Sequence, residues 1–388
     1  MKKDKLHVLQ VVGTMNRGGA EVMLMDIYRT ISEDFHFDFL VNYKTKIGIE
    51  KGDFDDEILS LGGTVKYIGT QWDLGPIQYI KQFKSICDEI GIPDVVHIHL
   101  NAKSGLIALA AKKAGIKKII VHSHADLKFR GSFLNTLFSK VELFFQKMLI
   151  LKYTTDFWGA SKEANNSLFS TPISKQTVVI NNAVDIEVFQ NVSSEQITEF
   201  RNSLNIGENT LVLGNVGRIV RHKNVSFIID ILDKLNQKGI DFKFIFAGRI
   251  DDKTYMQEIN DKIIQYKLID KIIYLGIRND IPVVVSSLDI FVAPALKEGF
   301  GLVAVEAQAT GIPCVLYTGF PSSVDMGLGL VSFISSFDSD KWLNEIIKVK
   351  NNKSSDKELI SSAIQNKGFD IKKNTEIVEK LYRGANIK

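Results

Sequence analysis

The chain has 388 residues, 45% of them hydrophobic and 24% charged, with 48 basic against 45 acidic side chains and a formal net charge of +3. That length exceeds one ordinary core and suits two domains of roughly 100 to 200 residues. The composition excludes a disordered chain, and the near-neutral balance excludes nucleic-acid binding through a broad basic face. Cys87 and Cys314 stand in no CxxC or Cys/His cluster, which excludes a disulfide framework and a cysteine-built zinc site and fits a reducing cytosol.

The first segment, "MKKDKLHVLQVVG", has a short apolar stretch interrupted by Gln10, so it reads as a first strand and not as a signal peptide. Nowhere do 18 consecutive apolar residues occur, the length a spanning helix needs. Strand-like runs follow at "FHFDFLV", "TVKYIG", "DVVHIHL", "KKIIVHSH" and "TVVINNAV", with amphipathic stretches between them. After the polar "QNVSSEQITEF" the alternation restarts with "LVLGNVG", "FKFIFAG", "KIIYLG", "LDIFVAP" and "PCVLYT". Alternating strands and helices predict an α/β chain of two doubly wound, Rossmann-like parallel-sheet domains, with ligands beyond the carboxyl ends of the strands. The expected division is residues 1–187, residues 188–368, and a C-terminal helix over 369–388 that can dock on either domain, with packing back on the first one the expectation.

Past the first strand, "RGGAE" places Gly18 and Gly19 at the start of a helical pattern. Glycines there let a ligand approach free backbone N–H groups, although a plain glycine turn explains them as well. Alternation puts His97 and His99 on one strand face, and His122 and His124 likewise. No carboxylate or cysteine completes a metal set beside them, and satisfied core histidines are the competing explanation, above all for His97. The segment from Lys128 to Lys152 mixes Lys128, Arg130, Lys140, Lys147 and Lys152 with many Phe and Leu. It suits either an amphipathic helix at an anionic membrane surface or a helix packed on the sheet.

In the second half, "GNVGRIVRHKN" sets Arg218 and Lys223 just past a strand, two cations suited to a diphosphate, with solvated charges in a loop that also holds Arg221 and His222 as the competing explanation. "KEGFGLVAVEA" sets Glu298 and Glu306 either side of a glycine-opened helix start. Were the segment helical throughout, their α-carbons would lie about 12 Å apart. A hydrolytic carboxylate pair needs roughly 5 to 9.5 Å, so two grips on one long ligand fit better. "FDDE" and "IDDK" follow no catalytic strand and read as solvated loop charges.

Together "RGGAE", "GRIVRHKN" and "EGFGLVAVE", with the Glu-x7-Glu spacing, resemble the GT-B retaining glycosyltransferases of family four, the glycosyl transferases group 1. The resemblance spans nearly the whole chain, including "INNAVDIEVF" and "FDIKKN…LY". It implies a nucleotide diphosphate sugar, of UDP-hexose or UDP-N-acetylhexosamine type, bound by the C-terminal domain, and a glycan acceptor, expected to be lipid-linked, on the N-terminal one. By position, Arg218 and Lys223 would hold the diphosphate, Glu306 the ribose and Glu298 the donor sugar. Gly299, Phe300, Gly301 and Leu302 would meet sugar or phosphate through their backbone, Gly18 and Gly19 would belong to the donor site, and His124, with His122 close behind, would lie near the reacting sugar. The resemblance further implies front-face substitution with retention, no metal or other cofactor, and a role in capsular or other cell-surface polysaccharide synthesis at the cytoplasmic membrane face. The alternatives are a nucleotide-sugar epimerase or hydrolase of the same fold and a non-catalytic assembly protein that binds nucleotide or glycan.

Overall fold

The computed structural model describes residues 5–124, 133–169 and 177–385. The chain divides into two units, Met1–Ala183 with Ile371–Lys388, and Val184–Asp370.

In the first unit, β1 (Leu6–Val12), β2 (Phe35–Tyr43), β3 (Val65–Gly69), β4 (Val95–Ile98), β5 (Lys118–Ser123), β6 (Asp156–Gly159) and β7 (Val178–Val179) form a parallel sheet of order β3-β2-β1-β4-β5-β6-β7. The second unit orders β8 (Leu211–Val216), β9 (Phe242–Ala247), β10 (Ile272–Tyr274), β11 (Ile290–Ala293), β12 (Cys314–Tyr317) and β13 (Val331–Ile334) as β10-β9-β8-β11-β12-β13. Both are doubly wound Rossmann-type sheets, and both reverse winding beside their first strand, where α/β sheets open a crevice at the strands' carboxyl ends.

The strands are continuous apolar runs because helices cover both faces, leaving no side to alternate with water. β1 and β4 are almost wholly buried, and the inner strands of the second sheet are equally dry. Two strands had no sequence signal. β6 is four residues after a long helix, with only Trp158 and Gly159 fully buried, and β13 is a half-exposed edge strand.

The final helix, Ile371–Tyr382, belongs to the first unit. Ile371, Val378, Leu381 and Tyr382 join its core, and the Tyr382 ring meets Phe37 edge-on at 6.0 Å.

Candidate active site

β8 and β11 lie side by side at the reversal of the second sheet, and each runs into one of the motifs. After β8 come Gly217 and Arg218, a single tight turn at Arg221–Lys223, and Asn224, whose left-handed conformation (φ 57°) starts the helix Val225–Gln237. Leu296 N–H donates to the His222 carbonyl at 2.8 Å, and Glu298 N–H to the Gly319 carbonyl at 3.0 Å. The first bond stitches the two loops backbone to backbone, and the second ties the Glu298 loop to the one after β12. Lys223 Nζ and Glu298 Oε1, 75 residues apart in sequence, form a hydrogen-bonded ion pair. Their side chains are only 18% and 11% exposed, so the charges are poorly screened and each is costly to leave alone.

Arg218 Nη1 reaches Asp251 Oδ2 at 3.2 Å, and Arg249 Nε reaches the same carboxylate at 2.6 Å. These two guanidiniums, Arg249 foremost, hold the Asp251 carboxyl below its ordinary value. Asp252 accepts from Tyr255 N–H at 2.9 Å and caps the helix Lys253–Gln265. The exposed Asp251 of "IDDK" is thus also a pairing group for Arg218, and the partly exposed Asp252 a helix cap. In "FDDE", Asp55 is buried and hydrogen-bonded by Tyr67, which corrects its reading as a solvated charge, Glu57 pairs with Arg29, and Asp56 is a solvated charge, 78% exposed beside Lys51. No carboxylate spacing in the sequence pointed to Asp251 as the partner of Arg218. The match depends on β9 lying next to β8.

The segment holding both glutamates is not helical throughout. Its helix spans Leu302–Ala309, so Glu298 sits in the preceding loop and Glu306, half-buried, in the second turn. The about 12 Å expected for a continuous helix therefore does not apply. Gly301 caps this helix at φ 88°, and a Cβ there would come within 2.3 Å of the Phe320 ring. Only glycine meets both conditions. The Phe300 ring stacks on Phe369 with centroids 4.5 Å apart, anchoring the loop from its other side. The first N–H groups of such a helix have no partner within it and, with the helix dipole, favour an anion or an oxygen-rich ligand.

In the first unit, Gly18 caps the helix Gly19–Thr30 with extended backbone and no side-chain cap. Glu21 curls over this end, its Oε2 only 2.2 Å from where a Gly18 Cβ would lie, and burial raises its pKa. A ligand arriving at Gly18 and Gly19 meets a carboxylate there.

The four histidines gather in one buried cluster. His99 Nδ1 lies 2.8 Å from His124 Nε2, and His97 Nε2 lies 3.1 Å from His122 Nδ1. Gln10 and Tyr382 connect the pairs, with His99 Nε2 to Gln10 Oε1 at 2.9 Å, Gln10 Nε2 to Tyr382 Oη at 3.1 Å and His97 Nδ1 to Tyr382 Oη at 2.7 Å. His124 lies just past β5, its N–H on Asn101 Oδ1 at 2.7 Å. Ring nitrogens of His97, His99 and His122 come within 4.8 Å of one another, but among the described residues all except His122 Nε2 are engaged in hydrogen bonds.

Desolvation by burial pushes the His124 imidazole down from 6.5 to about 4, and the other three well below 6.5. The folded state thus keeps these groups neutral where the unfolded chain binds protons. Stability is full above pH 6.5 and is lost as the pH falls from there toward about 4. The thermal midpoint of the first unit's transition should therefore drop clearly between about pH 7 and about pH 5, and a flat profile over that range would contradict neutral burial.

A family model described as Glycosyl transferases group 1 matches residues 196–366, which span both loops of the second unit. The EpsF protein of Bacillus subtilis (strain 168) is 30% identical over 386 residues, covering 98% of this chain and 97% of the relative. This chain belongs to the glycosyl transferases group 1. The UDP-Gal:alpha-D-GlcNAc-diphosphoundecaprenol alpha-1,3-galactosyltransferase of Escherichia coli is 28% identical over 309 residues, 74% of this glycosyltransferase and 75% of the relative. Among solved structures, HepE of Anabaena in complex with UDP matches with a TM-score of 0.75 at 19% identity, covering 98% of this chain and 100% of that one. That likeness establishes the GT-B fold of this glycosyltransferase.

Proposed function

We propose that this glycosyltransferase moves a hexose or N-acetylhexosamine from a UDP-sugar, with retention and without a metal, to a hydroxyl of a lipid-linked glycan in cell-surface polysaccharide synthesis. The observation that carries the reading is the Lys223–Glu298 pair at the reversal of the second sheet, with Arg218 and a glycine-started helix beside it. Lys223 and Arg218 take the diphosphate and stabilise it as it departs, doing what a cation does elsewhere. Glu298 accepts from hydroxyls of the donor sugar, Glu306 from the ribose, and the N–H groups of Phe300, Gly301 and Leu302 meet sugar or phosphate. Gly18 and Gly19 let the donor approach in the first unit, with the Glu21 carboxylate offered to hydroxyls. His124 accepts from the acceptor hydroxyl. The departing diphosphate receives that hydroxyl's proton as the new glycosidic bond forms on the face the leaving group vacates.

The donor and acceptor classes are supported by the relatives, one named for a UDP-Gal donor and a diphosphoundecaprenol acceptor and another for capsular polysaccharide biosynthesis. Peripheral contact with the inner membrane face is supported by the helix Phe133–Tyr153. Val141, Phe144, Phe145, Met148 and Leu151 form an exposed stripe along it, with Phe144 and Phe145 61% and 60% exposed. Such a stripe beside cations suits the boundary between headgroups and acyl chains. Lys147 turns inward to the Ser167 carbonyl at 2.9 Å, so Lys140 and Lys152 are the flanking cations, while Lys128 and Arg130 lie outside the described residues. Among the described residues no helix is long and apolar enough to cross a membrane.

The test is transfer from a panel of UDP-sugars to undecaprenyl-diphosphate-linked sugars in excess EDTA, with the anomeric configuration of the product read by NMR. UDP release that needs acceptor, survives EDTA and yields a retained linkage is the expected result. Equal UDP release without acceptor would favour hydrolysis, and EDTA-abolished transfer restored by magnesium would contradict metal independence.

A further inference from the structure

We propose that Gln10, buried in the middle of β1, fixes which nitrogen of His124 carries its proton, so that His124 offers the bare lone pair of Nδ1 to the acceptor hydroxyl. This rests on the assignment of His124 to the acceptor side made above.

Five hydrogen bonds join six groups in the order His124, His99, Gln10, Tyr382, His97, His122. Each neutral imidazole has one N–H donor and one bare nitrogen acceptor, so settling one ring settles its neighbour. The amide of Gln10 is the member whose two ends cannot exchange roles without turning over. Its Oε1 faces His99 and its Nε2 faces Tyr382.

Outward from Gln10, His99 must hold its proton on Nε2 to donate to Oε1. His99 Nδ1 is then an acceptor, and His124 donates to it from Nε2. The proton of His124 is thereby committed inward, and its Nδ1 is bare. Inward from Gln10, the amide N–H donates to Tyr382 Oη, the Tyr382 hydroxyl donates to His97 Nδ1, and His97 Nε2 donates to His122 Nδ1. All five bonds run in one direction.

The far end shows what this direction costs. His122 must carry its proton on Nε2, a buried atom with no hydrogen-bond partner among the described residues. In the reverse polarity that atom would be a bare nitrogen, and a buried unpartnered acceptor is tolerated better than a buried unpartnered N–H. The inner end alone would therefore choose the polarity that puts a proton on His124 Nδ1. Gln10 opposes that choice at the centre of the chain, which makes it a positioning residue.

His124 is also a weak base, with a pKa of about 4. It orients the acceptor hydroxyl by accepting its hydrogen bond and leaves the proton to the departing diphosphate. With Nδ1 protonated it would present a donor, and the hydroxyl would turn its hydrogen elsewhere.

The experiment is a long-range proton–nitrogen NMR spectrum of full-length protein labelled with nitrogen-15 histidine, His124 being assigned from His124→Asn. In the wild type, His124 Nδ1 should fall in the unprotonated range and Nε2 in the protonated range. Gln10→Met keeps the side-chain length but removes the acceptor for His99, so His99 should shift its proton to Nδ1 and donate to His124 Nε2. The His124 signals should then exchange character, and kcat should fall about tenfold or more with the donor KM unchanged.

A wild-type His124 protonated at Nδ1 would overturn the proposal even if Gln10→Met failed to fold, as would unchanged His124 signals in a folded Gln10→Met. Wild-type transfer by His124→Asn would instead overturn the acceptor-side assignment of His124, leaving the tautomer result standing.

Discussion

Glu298→Ala should lower kcat by about 100- to 1000-fold, the range found when one preorganised polar group is removed from around a transition state. The side chain is fixed by its own backbone, through the Glu298 N–H on the Gly319 carbonyl, and by Lys223, so it reaches the transition state already oriented. Glu306→Ala should instead raise the donor KM about tenfold with kcat largely kept, because ribose contacts are alike in ground and transition states. Initial rates with the true donor separate the two outcomes. Wild-type kcat in Glu298→Ala would remove that residue from the chemistry.

Lys223→Met should cost a similar factor in kcat/KM, about 100-fold or more, since the diphosphate gains charge as the bond to the sugar breaks. The substitution also strands Glu298, 11% exposed, without its cation, so some stability loss should accompany it. The two effects separate in one comparison. Glu298→Ala, Lys223→Met and the double variant should show rate losses that are far from additive, because the residues act as a pair. Additive losses, or a Lys223→Met protein of full activity, would place the diphosphate elsewhere.

The double winding was readable in the sequence because buried parallel strands are continuous β-branched and aromatic runs. Such runs announce themselves in β1, β4, β9 and β11, where helices cover both faces. β6 and β13 were not readable, since a short strand or a half-wet edge strand lacks the apolar run. Arg218, Lys223, Glu298 and Glu306 stand out in the sequence because cations and carboxylates after strand ends have few structural duties. What joins them was hidden. The Leu296–His222 backbone bond and the Asp251–Arg218 pair follow from β8 lying between β9 and β11, a neighbourhood set by sheet order. The histidine pairs stood out for the same reason as the charges, but Gln10 looked like a blemish in an apolar strand. Tyr382 sits 285 residues from His97, and no local pattern links the two.

Calorimetric titration of UDP into the wild type, Lys223→Met and Glu306→Ala tests the central claim most directly, that the loops after β8 and β11 hold the nucleotide diphosphate. UDP should bind the wild type and bind both variants about tenfold or more weakly, the worth of one charge-assisted hydrogen bond. Equal affinity across all three folded proteins would contradict the account.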